Sequence, residues 1–246
     1  MDADEGRSRL RALGFGEVDA QELWEHFDGA ERRGKQGHGH ARIPWLEGLE
    51  GYDPRAQPSL VGSEEGFQRW HGGGAIGYLV LGRVVRAQLE GPPVHARLVV
   101  CERTFPTGML GHHVRRLADA GLVAVLTATS PARLGHPSGG PKLAGTNPLA
   151  IGIPSSAGDP VVVDVSMGAV TWGDVVAGLA GEEQLVPFGG EQAHKAFALA
   201  LGLQLLVDAL VRDEGHGAVL LVAQPEADPV PALRGLAAGV RLPGDS

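Results

Sequence analysis

Two apolar runs, residues 149–154 and 160–165, are joined only by Ser155-Ser156-Ala157-Gly158-Asp159. That link is short enough for an antiparallel hairpin, whereas parallel strands need a crossover of a dozen or more residues. A purely parallel doubly wound sheet is therefore disfavoured. The chain also lacks a Gly-x-Gly-x-x-Gly that follows a strand with an acidic residue at the expected distance, which removes the ordinary dinucleotide fingerprint. Around the hairpin, residues 6–13 and 18–32 carry apolar side chains at helical spacing, including Leu23, Phe27 and Ala30, and read as two helices ending in a loop at 34–37. The triplet Gly72-Gly73-Gly74 opens a helix that runs through Val85 and Ala87, and Pro92-Pro93 breaks it before a strand at 97–101. Residues 111–120 read as a helix, 122–128 as a strand, 193–212 as a long helix, 218–223 as a strand and 226–240 as a final short helix. The class is α/β (α+β).

At 246 residues, 43% hydrophobic and 20% charged, the chain can bury a substantial core, and disordered or collagen-like states are excluded. Its 38 glycines and 17 prolines favour turns and close loop approaches over a helical bundle. A net charge of −8 with pI near 5.7 argues against a nucleic-acid surface. The sole cysteine, Cys101, sits in an apolar run, so it reads as a buried strand residue with no intrachain disulfide, in keeping with a cytoplasmic protein. The first twenty residues are charged, and the longest apolar stretch, 196–211, is interrupted by Gly202, Gln204 and Asp208, so neither a signal peptide nor a membrane span is expected.

Gly145-Thr146-Asn147-Pro148 carries more special residues than a plain loop needs. Asn147 is pushed toward an extended conformation by Pro148, and the Gly145 and Thr146 amides with the Thr146 hydroxyl are either held ready for a ligand or simply form a rigid hairpin entry. Reduction of a carbonyl or imine needs a proton donor and a group that fixes the substrate carboxylate. His38 and Arg42 suit those roles, histidine because its pKa lies near neutrality and arginine because its planar fork matches a carboxylate. His38-x-His40 and the adjacent His112-His113 raise a metal site, but no further ligand set accompanies them, and no metal is expected. Asp164 is either a ribose-hydroxyl acceptor, a partner for His38, or a strand-end turn residue. Lys195 either meets a cofactor phosphate or caps its helix.

Several segments, in order, resemble the type 2 malate/L-lactate dehydrogenase family, which includes ureidoglycolate dehydrogenase and piperideine-carboxylate reductases. Gly37-His38-Gly39-His40-Ala41-Arg42 resembles its Ser-His-Gly-x-x-Arg, and Gly108 to His113 resembles its Gly-x-x-Gly-Tyr-Tyr helix. Thr129-Ser130-Pro131, Gly139-Gly140 and Gly145 to Pro148 are similar to its Asn-x-Ser-Pro…Gly-Gly…Gly-Thr-Asn-Pro. The Val162 to Ser166 strand and Pro187-Phe188-Gly189-Gly190…His194-Lys195 complete the series. The resemblance implies a non-Rossmann, largely antiparallel cofactor domain at 61–185 and a helical substrate and dimerisation domain built from 1–60 and 186–246. It implies His38, Arg42 and Asp164 as catalytic residues, and Gly145, Thr146, Asn147, Pro148, His194 and Lys195 as cofactor contacts. NADP or NAD is the expected cofactor, a small carboxylate the substrate and a homodimer the assembly, with no nucleic acid or membrane as partner.

The departures from the family pattern are specific. Pro106-Thr107-Gly108 stands where the family has His-Phe-Gly, leaving His112 or His113 as substitutes for the missing histidine. Gly37 replaces the serine before His38, Asp174 replaces a lysine, Ala196 replaces a glycine, and only residues 174–186 stand where the family has a longer segment. Two readings follow. One is an NAD(P)H-dependent reductase of a small 2-oxo acid or cyclic imine carboxylate in a specialised biosynthetic pathway. The other is a repurposed scaffold that has lost hydride transfer and acts as a non-redox enzyme or binding protein.

Overall fold

The computed structural model describes residues 1–212 and 215–245. Two helices open the fold, α1 (Ala3–Ala12) and α2 (Glu17–Arg32), the first capped by the Asp2 carboxylate accepting from the Glu5 amide at 2.9 Å. With α3 (Arg42–Glu47) they bury Leu10, Leu23, Phe27, Ile43 and Leu46 in one apolar cluster. Next come β1 (Ser59–Glu64), β2 (Phe67–His71), α4 (Gly77–Glu90), β3 (Ala96–Glu102), α5 (Leu110–Asp119) and β4 (Val123–Ala128). A two-stranded ribbon of β5 (Leu134–Gly135) and β6 (Lys142–Ala144) precedes the hairpin β7 (Leu149–Ile153) and β8 (Val161–Val165). The chain ends with α6 (Trp172–Val176), α7 (Ala193–Leu210), β9 (Ala218–Ala223) and α8 (Val230–Leu236).

The main sheet has seven strands in the order β1-β2-β3-β9-β4-β7-β8. Among the described residues only β2 and β3 run parallel; every other pairing is antiparallel, and β7 meets β8 from Leu149↔Val165 to Ile153↔Val161. Val99, Cys101, Leu126, Ala150, Leu220 and Val222 from the strands pack with Val80, Leu81, Val84 and Val85 of α4 and with Leu110, Val114 and Leu117 of α5. Each fully buried Leu or Val of this kind contributes about 1.5–3 kcal/mol relative to exposure. Gly152 lets α5 lie close on β7, because a Cβ there would come within 2.6 Å of the Val114 carbonyl oxygen. Cys101 is fully buried in β3, and burial pushes its thiol up to about 12.

The strand at 218–223 lies between β3 and β4, so the segment 186–246 supplies a central strand as well as helices. Helix α7 rests on β4, β5 and β6. By length and composition residues Gly190–Leu210 could cross a membrane, with mean hydropathy 1.4. In the fold Ala196, Phe197, Ala200 and Val207 form its buried face, while Leu199, Leu205 and Leu206 are exposed, and 28% of the apolar window is buried. Asn147 departs from the extended conformation expected before a proline: its φ is +25°. Its side chain explains this, since the amide nitrogen donates to the Ala200 carbonyl and to Gln204 Oε1, both at 2.9 Å, holding the loop against α7. Asparagine tolerates that backbone better than most residues.

Candidate active site

His38 closes a 3-10 turn, Gln36–His38, whose amide donates to the Lys35 carbonyl at 2.8 Å, and Arg42 begins α3 four residues later. This turn packs against the start of α6 with no space to spare. A Cβ on Gly37 would lie 2.6 Å from the Asp174 amide nitrogen and 2.8 Å from the Gly173 carbonyl carbon, with Asp174 Oδ1 closer still. Gly37 and Asp174, two separate departures in sequence, are therefore one structural arrangement: the carboxylate occupies the volume a side chain at 37 would need. Asp174 is fixed by a capping box, its carboxylate accepting from the Thr171 amide at 2.9 Å and the Thr171 hydroxyl at 2.8 Å.

A cavity of about 320 Å3 opens beside this junction. His38, Arg42, Asp164, Thr146 and Pro148 all line it, joined by Tyr78, Trp45, Trp172, Ser130 and Ser166. Sequence reasoning named the first five as site residues; Ser130 and Ser166 lie in segments that carry the family resemblance without an assigned role, and Tyr78, Trp45 and Trp172 reach the cavity only through the tertiary fold. Pro106, Thr107 and Gly108 line the same cavity, so the loop keeps its place without a histidine. Neither His112 nor His113 replaces it. His113 is buried and His112 lines a different cavity, and both rings cluster with His26, at 5.3 and 4.5 Å between centroids. His26, which gave no signal beyond its place on an amphipathic helix, uses Nε2 to accept from the Met109 amide at 3.0 Å.

The electrostatics single out Arg42. It is buried, its Nε has no partner, its guanidinium lies 4.7 Å from the Trp45 ring centroid, and no carboxylate pairs with it among the described residues. A buried cation without a counter-ion is costly, so this position is prepared for an anion. Burial first, then Arg42, lower the His38 imidazole to about 4, while Asp174 pulls the other way. An anion that neutralises Arg42 removes part of that depression and makes His38 a readier proton carrier. Asp164 accepts from the Gly111 amide at 2.7 Å, and burial raises it to about 6 despite that bond and Lys35.

The remaining expected residues have other placements. Gly145 donates weakly to Gln204 Oε1 at 3.5 Å, and neither it nor Asn147 lines the cavity. His194 and Lys195 lie exposed on the first turn of α7 and line neither this cavity nor the one holding His112. His40 turns away from His38, stacking on Trp24 at 4.8 Å and meeting Asp28 at 3.3 Å.

The sequence profile of the malate/L-lactate dehydrogenase family matches residues 4–182. The chain is 30% identical over 176 residues to (2R)-3-sulfolactate dehydrogenase (NADP(+)) of Chromohalobacter salexigens, covering 68% of this chain and 51% of that protein. It is 28% identical over 248 aligned positions to the Delta(1)-pyrroline-2-carboxylate/Delta(1)-piperideine-2-carboxylate reductase of Pseudomonas putida, covering 83% and 69%. The chain thus spans about half the length of the first of these relatives. Among solved structures, the delta1-piperideine-2-carboxylate reductase from Pseudomonas syringae pvar. tomato superposes with a TM-score of 0.82 at 24% identity, over 98% of this chain and 89% of that one. That likeness shows a shared fold.

Proposed function

The chain belongs to the malate/L-lactate dehydrogenase family, and from that premise we propose that it is an NAD(P)H-dependent oxidoreductase reducing a small 2-oxo acid or cyclic imine carboxylate. The observation that carries this reading is Arg42, a buried guanidinium with no carboxylate partner among the described residues, beside His38 in one cavity. The named relatives act on small carboxylates, which supports the same substrate class.

The residues present fit a nicotinamide dinucleotide. Ser166 and Thr146 offer hydroxyls and Asp164 a carboxylate in the same wall, a donor set suited to a ribose, and Ser130 Oγ is buried without a partner. Tyr78, Trp45, Pro106 and Met109 supply apolar surface for a flat ring. When bound, the cofactor supplies hydride.

In this mechanism Arg42 grips the substrate carboxylate through its planar fork and sets the carbonyl or imine carbon in the cavity. Binding cancels the charge that depresses His38, so the imidazole gains a proton more readily. His38 would deliver the proton to the carbonyl oxygen or imine nitrogen as the substrate carbon is reduced by the bound cofactor, so that C=O becomes CH–OH or C=N becomes CH–NH. Asp174 steadies the protonated imidazole. Residues 1–60, which carry His38 and Arg42, hold the substrate side, and 61–185 the larger share of the cofactor wall. The resemblance also supports a cytoplasmic homodimer working in a specialised biosynthetic pathway.

The test is a fluorescence titration with NADPH and NADH, followed by turnover of 2-oxo acids and cyclic imine carboxylates. His38→Ala is expected to bind nucleotide like the wild type and to lose about 100-fold or more in turnover. Folded wild-type protein that binds neither nucleotide would sink the reductase reading. The observation favouring a repurposed scaffold, the absence of a histidine from Pro106-Thr107-Gly108, would then take precedence.

A further inference from the structure

Tyr78, the second residue of α4, is 2% exposed and lines the cavity that holds His38 and Arg42. Its hydroxyl is buried and meets no hydrogen-bond partner among the described residues. A phenol placed in this way has lost its hydration and gained nothing in return from the fold, a cost that an acceptor arriving from outside would remove.

The ring is held too closely for the hydroxyl to find a partner elsewhere. His26 and Phe27 meet it edge-on, at 4.9 and 5.2 Å between centroids. Gly108, at φ +69°, leaves room for its edge, since a Cβ there would collide with Tyr78 Cε1. At its back, the Gly77 amide donates to the Phe105 carbonyl at 3.3 Å, and a Cβ on Gly77 would come within 2.6 Å of the Pro106 carbonyl oxygen. The start of α4 is thus pressed onto the 105–108 loop, and glycines at 77 and 108 make space for a tyrosine there.

Arg42 is the charge that reaches this hydroxyl. Burial raises the phenol above its ordinary pKa, and the Arg42 guanidinium acts against that shift. At neutral pH the phenol keeps its proton and is a donor beside a cation. Arg42 Nε is itself buried without a partner, so donors from α3 and α4 converge on one cavity with no acceptor of their own. An arginine fork engages one lone pair on each carboxylate oxygen, whereas the two oxygens together present about four. A neutral O–H takes one of those left over, and adds no charge where one cation already balances one carboxylate. We propose that the Tyr78 hydroxyl is a second donor to the carboxylate that Arg42 grips, which makes Tyr78 a substrate-binding residue. This deepens the function proposed above and rests on it.

Trp45 lies against Arg42, with 4.7 Å from guanidinium to ring centroid, and Trp172 lines the same cavity, so intrinsic fluorescence reports occupancy without turnover. Oxamate, an unreactive monocarboxylate shaped like a 2-oxo acid, is titrated into wild type and Tyr78→Phe, with and without NADP+. KM and kcat are measured for the carboxylate that wild type turns over fastest, and both proteins are unfolded in urea. Tyr78→Phe is expected to bind oxamate about 10- to 100-fold more weakly and to raise KM by the same factor, with kcat changed by less than about threefold. It is expected to unfold at the same or a higher urea concentration, because the hydroxyl removed has no partner in the fold. Unchanged oxamate affinity and KM, a fall in kcat at constant KM, or unfolding at lower urea would each overturn the assignment and leave the reductase reading standing. Oxamate binding that depends on Tyr78, in a wild type that reduces no 2-oxo acid or cyclic imine, would sustain the carboxylate site and sink the reductase. Wild type that neither binds oxamate nor turns over any carboxylate would overturn both.

Discussion

Replacing Gly37 by serine, the residue expected there from the family pattern, tests whether the turn carrying His38 and the start of α6 are one rigid unit. A Cβ at 37 would sit 2.6 Å from the Asp174 amide nitrogen and 2.8 Å from the Gly173 carbonyl carbon, against about 3.5–4.0 Å for an ordinary contact, so α6 must retreat by about 1 Å. Two of the obstructing atoms belong to the backbone, so no rotamer change relieves them. Overpacking of this kind costs about 1–3 kcal/mol, and disturbing the Thr171–Asp174 cap adds about 1 kcal/mol, for a total of about 2–4 kcal/mol. Asp174→Ala alone is expected to cost about 1 kcal/mol through the cap. The double variant should cost about 1 kcal/mol less than the sum, because the carboxylate that obstructs a side chain at 37 is gone. Urea unfolding of the four proteins at pH 7 reads the cycle. Gly37→Ser within about 0.5 kcal/mol of wild type, or strict additivity, would refute the argument that these two positions share one volume.

Further outcomes follow from the same geometry. The histidines are held neutral, with His38 lowered to about 4 and His112 to about 3, so below the ordinary histidine pKa the unfolded chain binds protons the folded one refuses. Stability should thus fall by about 2 kcal/mol per such histidine between pH 7 and 5, while Asp164, raised to about 6, stabilises the folded state at low pH and returns about 1 kcal/mol over that interval. His112→Asn should remove about 2 kcal/mol of this acid loss in urea melts; an unchanged dependence would count against the depressed pKa. Arg42→Met should raise the substrate KM by about 10- to 100-fold while unfolding at higher urea, because an uncompensated buried charge is removed. A destabilised variant would argue that Arg42 has an internal partner. Asn147→Ala should cost about 2–4 kcal/mol through three lost hydrogen bonds and a strained backbone, with Asn147→Gly recovering only the backbone part; equal melts for the two variants would exclude strain at that position.

Much of the fold is legible because it is local. The helices α1, α2, α5 and α7 show a 3.6-residue period or a long apolar run, and the β7–β8 pair is announced by a five-residue link. What is not legible depends on distant partners. Strand β2 contains Arg69, which no apolar pattern would bury, yet it is buried because Glu102 and the Leu210 carbonyl meet its guanidinium. Strand β1 is mostly exposed and shows no alternation. In the candidate site, His38 and Arg42 stand out because their chemistry and spacing are visible in one short segment. Tyr78 and Trp172 come from elements far apart in the chain, and only packing brings them to one cavity. The extended conformation expected at Asn147 yielded to three tertiary hydrogen bonds, with Ser130, Ala200 and Gln204, that no local rule contains.

Strand β9 is among the last elements of the chain, yet it forms the seam of the sheet, hydrogen-bonded to β3 on one side and β4 on the other. During synthesis, the two flanking blocks emerge first, each exposing a naked strand edge that only residues 218–223 can cover. Any premature stop, proteolytic nick or expression boundary upstream of that strand leaves two open edges facing solvent, and such edges template aggregation. The chain's vulnerability to truncation is thus concentrated at a site remote from its chemistry, and a library of shortened fragments should show solubility returning abruptly once β9 is included.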